Sequence, residues 1–350
     1  MNNDSLRICD AVSGPMVTQL HDETALDGLR RKIQAEWPII KNSDNFPGSQ
    51  PVSLAKKDLM KLQRFEYSVC EKTDGMRYLL YGTTYQNRQR LYLVDRAYRF
   101  YEVRLSQMGA DFFQGTILDG ELVREHRVDG GPWSFYCHDC VCLAGVNIAK
   151  SNLDIRLAFA EKCVSGLYTK DTRDPFTLKT KRFWDYKDFG NYLQDHRSGN
   201  KTHDTDGLVL TPKNVPVCTG TQLSMFKWKE KHTFDFAVHW TAFTPSRCKY
   251  DMFVMDKSKL AKYHTVNSRT PKGKVFDTQF RRLYSPNGDL PTCTKNVIVE
   301  CLYENDTYIP VLLRKDKLHP NGLRTVTNTH SNITEDIKLE ELLIFSQNAP

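Results

Sequence analysis

From Tyr67 onward the chain is dominated by short segments in which apolar and polar residues alternate, and this period of two limits its fold more than any other feature. Segments rich in aromatic and β-branched residues predict strands at 67–70, 77–85, 90–95, 115–123, 133–143, 176–183, 207–211 and 224–228. The polar run 86–89 predicts a hairpin turn between two of them. The pattern therefore indicates a large domain built on mixed sheets, within an α+β fold class.

Helical periodicity is confined to a few segments. Residues 21–37 predict a helix that Pro38 ends, with one apolar stripe made by Leu26, Leu29, Ile33 and Trp37. The segment 45–51 predicts a loop, after which Ser53 is expected to cap a helix that reaches about residue 65. Further helices are expected at 153–167 and 188–196, and Thr334 is expected to cap a last one.

The pattern of strand-like segments and loops changes after about residue 235. Short strand-like segments at 236–243, 249–255 and 297–303 are joined by long loops that contain Lys and Pro. This arrangement suits a five-stranded β-barrel of the OB-fold type, which often binds polyanions. The sequence therefore predicts a large mixed-sheet domain at 1–236, an OB-fold domain at 237–320 and a helical extension at 321–350.

Composition excludes several classes of protein. The 350 residues include 49 Lys and Arg against 42 Asp and Glu, and the formal charge of +7 permits a polyanionic partner. No run of about 18 apolar residues is present, so we expect no membrane span. Asp4, Arg7 and Asp10 argue against a secretory signal at the start.

Ten cysteines are scattered along the chain, a density at which reduced thiols are expected. The cluster at Cys137, Cys140 and Cys142 contains one Cys-x-x-Cys pair, and no second ligand pair follows at a suitable spacing. Strand alternation also predicts that Cys137 and Cys140 face opposite sides. We therefore expect small buried residues there and no zinc.

The segment 71–77 carries the sharpest chemical signal, Glu-Lys-Thr-Asp-Gly-Met-Arg at a predicted strand end. The amine of Lys72 becomes a nucleophile only when it loses its proton, which requires burial or neighbouring positive charge. Asp74 would orient that amine, Gly75 lets the backbone turn near a ligand, and Arg77 offers a planar fork to phosphate or sugar oxygens. A surface hairpin turn is the alternative, because Asp-Gly is common in hairpins.

Two acidic motifs follow in the chain. Asp119-Gly120-Glu121 lies within an apolar strand, and Asp206-Gly207 stands at the start of another. Carboxylates in such positions bind a hard cation such as Mg²⁺ or hold a ribose hydroxyl. Each pair alone also fits a solvated hairpin tip.

Two basic clusters complete the series. Lys227, Lys229 and Lys231 share one face of a predicted strand. There they would bind a phosphate whose charge grows in the transition state, or they would only protect an edge strand against aggregation. The second cluster, 314–317, lies beyond the domain change and reaches a triphosphate only if the domains close.

In their order, these motifs resemble those of the covalent nucleotidyltransferases, the superfamily of mRNA capping guanylyltransferases and ATP-dependent polynucleotide ligases. The resemblance covers roughly residues 45–320. The segments 46–53 and 77–80 and the pair Pro320-Asn321 resemble capping enzymes in particular. The chain is thereby identified as a candidate member of the capping guanylyltransferases.

That resemblance implies a reaction in two steps. Lys72 would attack the α-phosphate of GTP to form lysyl-N–GMP and release pyrophosphate, and GMP would then pass to the 5′-diphosphate end of RNA to make the GpppN cap. Asp206 would be the leading ligand of Mg²⁺ (or Mn²⁺). The resemblance also implies that Arg77 and Glu121 hold the ribose and that Lys181 contacts the guanine oxygen. Lys227 and Lys229 would stabilise the α-phosphate. Arg314 and Lys317 would bind the β- and γ-phosphates, and Asp316 would place pyrophosphate or structure the loop.

The chain departs from the family pattern at two positions. His138 stands where most members carry Phe or Tyr that stacks on guanine, and an imidazole stacks less well. Leu312 stands where a second arginine is common, so that Lys315 is the remaining candidate for that contact.

Two other functions stay open from the sequence: an ATP-dependent polynucleotide ligase, and a non-catalytic relative that binds RNA. Capping would require an RNA triphosphatase and a cap methyltransferase on other chains, together with the transcription machinery. The expected location is the nucleus, or the cytoplasm if the source is a cytoplasmic virus.

Overall fold

The computed structural model describes residues 17–37, 46–126, 131–199, 202–244, 246–269, 297–314, 317 and 319–350. The chain divides into two compact units, a larger one that reaches to Glu230 and includes Ile337–Pro350, and a smaller one of Lys231–Asp336. The division thus falls before the predicted boundary at 236. The segment 337–350 belongs with the larger unit and not with the rest of the predicted 321–350 extension.

Two sheets form the larger unit. Its strands are β1 (Val17–Gln19), β2 (Ser49–Ser53), β3 (Tyr67–Thr73), β4 (Met76–Tyr85), β5 (Arg88–Val94), β6 (Phe100–Val103), β7 (Gln114–Arg124), β8 (Trp133–Leu143), β9 (Val146–Asn147), β10 (Thr177–Thr180), β11 (Trp184–Asp185), β12 (Thr205–Pro212) and β13 (Gly220–Trp228). The first sheet has the order β1-β6-β5-β4-β7-β8-β10, with β9 paired to β8. The second sheet has the order β11-β3-β12-β13-β2.

Six helices accompany the sheets in the described residues. They are α1 (Glu23–Glu36), α2 (Lys56–Arg64), α3 (Leu153–Gly166), α4 (Phe189–Arg197), α5 (Leu323–Glu335) and α6 (Leu339–Ser346). None of the described helices is both long and apolar enough to span a membrane.

The first sheet is buried on both faces. One face packs on the predicted stripe of α1, and Leu29, Ile33 and Trp37 are fully buried there. The opposite face packs against α3 through Ala160 and Cys163. Burial on both faces leaves the polar ends of β4, β7 and β8 as the part of the sheet available for chemistry.

The second sheet is covered by helices, including one from the end of the chain. Tyr186 donates a hydrogen bond to the Leu342 carbonyl at 2.8 Å, and Trp228 Nε1 donates to the Ile337 carbonyl at 2.8 Å. Leu342 is fully buried in the cluster that contains Phe226 and Leu62. The C-terminal segment is therefore part of the hydrophobic core of the larger unit.

The smaller unit is a five-stranded antiparallel sheet with α5. Its strands are β14 (Thr233–Phe243), β15 (Arg247–Asp256), β16 (Lys259–Arg269), β17 (Val297–Glu304) and β18 (Thr307–Leu313), in the order β16-β15-β14-β17-β18. Phe234, Phe236, Tyr250 and Tyr308 fill its core. This topology is consistent with the OB-fold, and no hydrogen bonds join β16 to β18 into a closed barrel among the described residues.

Three local predictions were wrong. Ser53 does not cap a helix, since it ends β2, and α2 begins after Ala55. The expected loop at 45–51 becomes a strand from Ser49 because β2 pairs in parallel with β13. Thr334 lies in the last turn of α5, which ends at the left-handed Asp336 with φ of 44°. Short polar side chains such as Thr334 indicate a helix start in the sequence, but the left-handed Asp336 makes this segment a helix end.

The faces of the cysteine cluster also differ from the prediction. Cys137 pairs with Gly120, but Asp119 pairs with Asp139, so that β8 bulges at His138. The extra residue shifts the alternation, and Cys137 and Cys140 both enter the same core. Burial raises the pKa of the Cys137 thiol well above its ordinary value.

Candidate functional site

Lys72 lies at the end of β3, where the chain passes from the second sheet into the first. Its Nζ is 2.5 Å from Oδ1 of Asp206 on β12. The β3–β12 ladder changes register between Thr205 and Leu208. This bulge brings Asp206 to the lysine, because regular pairing on either side leaves residues 206 and 207 outside the ladder.

Gly207 makes the bulge possible. It adopts a φ of +145°, and a Cβ added there would lie 2.0 Å from the carbonyl oxygen of Trp228. Only glycine fits this backbone at that distance. The Asp-Gly order therefore has a steric reason, which the sequence motif alone did not reveal.

Asp206 is shared between two ammonium groups. Its Oδ2 lies 2.6 Å from Nζ of Lys229, while Oδ1 binds Lys72. Burial by itself would raise the pKa of Asp206, but the charges of Lys72 and Lys229 outweigh it and hold that pKa below its ordinary value. Asp206 is therefore an ionised acceptor that orients Lys72.

Asp74 adds a second carboxylate beside this pair. Its backbone N–H donates to the Asp204 carbonyl at 3.0 Å, which fixes the turn after Lys72. Burial, and then the charge of Asp206, raise the pKa of Asp74 above its ordinary value. The negative charge of Asp206 opposes the ionisation of Asp74, and a bound cation would relieve the repulsion between the two carboxylates.

Lys181 connects the residues beside Lys72 to the first sheet. Its Nζ donates to the hydroxyl of Thr73 and lies 3.9 Å from Oε2 of Glu121. Its side chain is only 8% exposed, and its backbone N–H donates to the Cys137 carbonyl at 2.7 Å. The parallel pairing of β10 with β8 places Lys181 there.

Arg77 is held by a buried carboxylate. Its Nε and Nη2 donate to the two oxygens of Asp119 at 2.9 and 2.6 Å, and Nη1 donates to the Ser49 carbonyl at 2.7 Å. The guanidinium also lies 5.2 Å from the ring centroid of Phe46. Three of its five N–H donors are consequently occupied within the protein.

His138 is the third partner of Asp119. Its Nε2 lies 3.2 Å from Asp119 Oδ1, and its side chain is 17% exposed. Burial would raise the pKa of Asp119, but Arg77 and then His138 reverse this and hold it well below its usual range. The imidazole is thus engaged in a polar contact that Phe or Tyr at this position cannot provide in the same way.

A small cavity adjoins this network, and its lining includes Arg77, Asp119 and His138. Asp139 and Arg156 also line it. Arg156 is 2% exposed and donates to both oxygens of Asp139 at 2.8 and 3.1 Å. The cavity walls therefore carry fixed charges that are already paired.

Lys227 lies on the polar side of β13, as the alternation predicts. Phe226 and Trp228 are buried in the core beneath it, while Lys227 is half-buried and Lys229 follows the strand end. The structure therefore gathers Lys72, Asp74, Asp206 and Lys229 in one cluster, with Lys181 and Glu121 beside it.

Arg314 and Lys317 lie in the smaller unit around one buried acid. Arg314 Nη1 lies 3.2 Å from Asp235 Oδ1 and 3.0 Å from Glu300 Oε2, and Lys317 Nζ also binds Asp235. Asn321 closes the cluster, since its Oδ1 accepts the Asp235 N–H at 2.9 Å. Asp316, predicted between the two cations, lies outside the described residues.

Comparison with known proteins gives the family. The family model described as "mRNA capping enzyme, catalytic domain" matches residues 10–231, and "mRNA capping enzyme, C-terminal domain" matches residues 231–343. The chain belongs to the mRNA capping enzyme family. The junction of the two matches falls at the division between the two compact units.

Curated relatives agree with this assignment. The chain is 31% identical over 328 residues to an mRNA-capping enzyme subunit alpha of Schizosaccharomyces pombe, covering 86% of this chain and 79% of that protein. It is 27% identical over 342 residues to the Neurospora crassa subunit alpha, covering 87% and 85%. An mRNA-capping enzyme of Danio rerio is 25% identical over 356 residues, covering 96% of this chain and 55% of that protein, so the chain spans about half of it.

A mycobacterial DNA ligase D, complexed with ATP and MES, aligns with 79% of this chain and 98% of its own. Its TM-score is 0.45 and its identity 13%, too low to bear on which nucleotide this member of the capping family uses.

Two residues of these networks, Asp235 and Arg156, are not among the residues that the sequence motifs predict for the site. Asp235 stands in the apolar strand Thr233–Phe243, and an acid that interrupts such a strand is a signal that it has a buried partner. Arg156 gave no comparable signal, because its place in α3 fits an ordinary solvated position. Its role follows only from the packing of α3 on β8.

Proposed function

We propose that this chain is a GTP:RNA guanylyltransferase that works through a covalent Lys72–GMP intermediate. The observation that carries the proposal is the 2.5 Å contact between Lys72 Nζ and Asp206 in a cluster that also holds Lys229. A capping-family chain with a half-buried lysine, oriented by a carboxylate next to a second cation, has the parts that nucleotidyl transfer needs.

In the first step, the lone pair of Lys72 Nζ forms a bond to the α-phosphorus of GTP, and the bond from that phosphorus to the β-phosphate oxygen breaks. The ammonium of Lys72 loses one proton to solvent before the attack, and its nitrogen loses a second proton to solvent as pyrophosphate leaves. Asp206 orients the amine and does not remove its proton, since a carboxylate with a lowered pKa is a weak base. Lys227 and Lys229 stabilise the charge that develops on the α-phosphate.

In the second step, a terminal oxygen of 5′-diphosphate RNA attacks the same phosphorus. The N–P bond breaks, the Lys72 nitrogen takes two protons from solvent to become an ammonium again, and the product is GpppN-RNA. Splitting the transfer in this way leaves the protein with positioning and charge neutralisation as its main tasks.

The residues at the site fit a divalent cation. Asp206 and Asp74 are two carboxylates whose mutual repulsion a cation would relieve, and Mg²⁺ is commonly held by one or two carboxylates together with substrate phosphates and water. When bound, Mg²⁺ or Mn²⁺ would neutralise phosphate charge. Among the described residues no group of three acidic, His or Cys side chains forms a complete site, so the phosphates would supply ligands.

The nucleoside would lie on the first sheet. Glu121 and the free N–H groups of Arg77 are proposed to hold the ribose, and Lys181 the guanine oxygen. His138 is proposed to contact guanine with its ring face while its Nε2 stays on Asp119. Arg314 and Lys317, with Asp316, are proposed to bind the β- and γ-phosphates.

The family assignment favours this function over a nick-sealing ligase, and the intact lysine cluster favours it over a relative that only binds RNA. We propose further that an RNA triphosphatase and a cap methyltransferase act on other chains, with the transcription machinery as recruiting partner. Nuclear location, or cytoplasmic location for a cytoplasmic virus, remains part of this proposal.

The test is covalent labelling. The full chain is incubated with Mg²⁺ and α-labelled GTP or ATP, and the labelled peptide is mapped by mass spectrometry. GMP on Lys72, lost in Lys72→Arg and retained in the surface variant Lys57→Arg, is the expected result. Labelling by ATP alone would identify a ligase, and no label on Lys72 with either nucleotide would refute the covalent mechanism.

A further inference from the structure

Thr73 is a buried residue beside the nucleophile that the transfer of GMP does not use. It is 1% exposed and follows Lys72 directly at the end of β3. Consecutive residues of a strand point to opposite faces, so Lys72 contacts Asp206 while Thr73 contacts another residue. That residue is Lys181, whose Nζ donates a hydrogen bond to the Thr73 hydroxyl. The same strand end therefore carries the reacting lysine and a fixed acceptor for a second lysine.

The Thr73 hydroxyl fixes the position of the Lys181 ammonium. The backbone of Lys181 is held already, since its N–H donates to the Cys137 carbonyl at 2.7 Å. The four-carbon stem of a lysine is flexible, however, so a held backbone does not by itself place the nitrogen. Glu121 Oε2 lies 3.9 Å from Nζ, which is beyond hydrogen-bonding distance. Among the described residues, the hydrogen bond that places Nζ is therefore the one to Thr73.

The donors of Lys181 determine which base it favours. An ammonium group has three N–H donors and no acceptor. With one donor on Thr73, the others are satisfied by an acceptor on the base. Guanine presents the acceptor O6 where adenine presents the donor amine N6. A fixed ammonium therefore favours guanine, and it disfavours adenine because two donors would face each other.

We propose that Thr73 is the positioning residue for base selection, because its hydroxyl holds Lys181 where the ammonium binds guanine and rejects adenine. This inference rests on the proposed guanylyltransferase function, which assigns the guanine oxygen to Lys181. It deepens that function by naming the residue on which selectivity for GTP over ATP depends. Thr73 acts through Lys181 and needs no contact of its own with the base.

The test changes the hydroxyl of Thr73 in two ways. Thr73→Val keeps the shape and loses the acceptor, whereas Thr73→Ser keeps the acceptor. Thr116→Val is the matched control, because Thr116 is also fully buried and its Oγ1 also accepts one hydrogen bond, from the Ala144 N–H at 3.0 Å. The Kd of each nucleotide, and the KM and kcat of nucleotide attachment, are measured with the full chain of each variant.

The nucleotides are chosen by the group at position 6 of the purine. GTP and ITP carry an oxygen there, ATP carries an amine, and the triphosphate of 2-aminopurine riboside carries only hydrogen. In Thr73→Val we expect about tenfold weaker binding of GTP and ITP, the loss typical of a hydrogen bond to a charged group. The Kd of the other two nucleotides should change by less than about twofold, because neither offers that oxygen to Lys181.

The effect on attachment should appear in KM and not in kcat, since the base is held equally before and during the transfer. Selectivity for GTP over ATP should therefore fall about tenfold in Thr73→Val. Thr73→Ser should recover most of that selectivity, and Thr116→Val should match the wild type.

A double-mutant cycle tests whether Thr73 acts through Lys181. Lys181→Met removes the ammonium, so that the hydroxyl of Thr73 has nothing left to position. Adding Thr73→Val to Lys181→Met should therefore cause no further loss of GTP affinity.

An equal loss for all four nucleotides in Thr73→Val would overturn the inference and make Thr73 a structural link between the two sheets. Additive losses in the double variant would also overturn it, as would a Thr73→Ser variant as impaired as Thr73→Val. If the wild type binds GTP with this selectivity but forms no adduct on Lys72, the covalent mechanism is refuted and the role of Thr73 stands.

Discussion

Lys72 Nζ and Asp206 Oδ1 lie 2.5 Å apart although their strands are separated by more than a hundred residues. Replacing Asp206 by Asn keeps the shape but removes the charge that orients the ammonium. We expect GMP attachment to fall by about 100-fold, the loss typical of a misplaced reacting group. The measurement is the rate of adduct formation with labelled GTP. Asp204→Asn, which changes a side chain two residues away that is 58% exposed, should retain the wild-type rate.

Gly207→Ala tests the bulge that delivers Asp206. The new Cβ meets the Trp228 carbonyl, so either β12 or β13 has to move. We expect a loss of about 3 kcal/mol in the free energy of unfolding, together with loss of GMP attachment. Gly190→Ala in α4 is the matched control, because its Cβ has ordinary contacts only. Unchanged labelling in Gly207→Ala would show that the bulge does not position the carboxylate.

Asp119→Asn tests the buried ion pair beneath Arg77. Removing one charge of a buried pair leaves the other unpaired, so we expect the free energy of unfolding to fall by about 3 kcal/mol at neutral pH. The exposed-acid variant Asp27→Asn should change it by less than about 0.5 kcal/mol. Urea denaturation of the three proteins provides the comparison.

The same pair predicts a pH dependence. The pKa of Asp119 is depressed in the folded protein, so its stabilisation is complete above the ordinary value of 3.8 and is lost as the pH falls below it. The difference in stability between wild type and Asp119→Asn should therefore narrow at about pH 3 relative to about pH 5. A difference that stays constant over this range would contradict the depressed pKa.

His138→Phe separates two roles of the imidazole. It restores the aromatic residue common in the family but removes the contact to Asp119, so we expect about 1–3 kcal/mol of destabilisation. His138→Gln places an amide nitrogen near the position of Nε2 and should recover most of that loss. Chemical denaturation measures both. If the Phe variant is as stable as the wild type, the contact at 3.2 Å contributes nothing measurable.

Asp235→Asn tests the acid between Arg314 and Lys317. Without the charge of Asp235, Arg314 and Lys317 lose the carboxylate that holds them in place. Because the two cations would then bind phosphate less well, we expect the rate of GMP attachment to fall about tenfold. Glu304→Gln, an exposed change in the same unit, should have no effect. A normal rate in Asp235→Asn would show that the cluster serves stability alone.

Much of the larger sheet could be predicted because alternation with aromatic and β-branched residues marks strands directly. The hairpin at 86–89 was also recognisable, and the structure turns through left-handed Gln86 and Asn87. The strand β16 was missed, since its lysines and His264 hide the apolar positions that alternation requires. Edge strands carry such polar residues, and therefore resemble loops in sequence.

The candidate site was predictable in its residues but not in its connections. The order of motifs identified Lys72 and Asp206, yet nothing in the sequence required Asp206 to bind Lys229 as well. The pairing of Arg77 with Asp119 depends on the register of β4 against β7, which sequence alone does not fix. Bulges at His138 and Gly207 added residues to strands in places where simple alternation fails.

The return of residues 337–350 to the larger unit has a consequence for synthesis on the ribosome. Tyr186 and Trp228 each donate a hydrogen bond to a carbonyl of that segment, so this unit lacks part of its core until residues 337–350 have been translated. A nascent chain must therefore make the whole smaller unit before the enzyme-bearing half is complete. Loss of residues 337–350 would leave apolar surface of the larger unit uncovered in a protein that still has Lys72, Asp206 and Lys229.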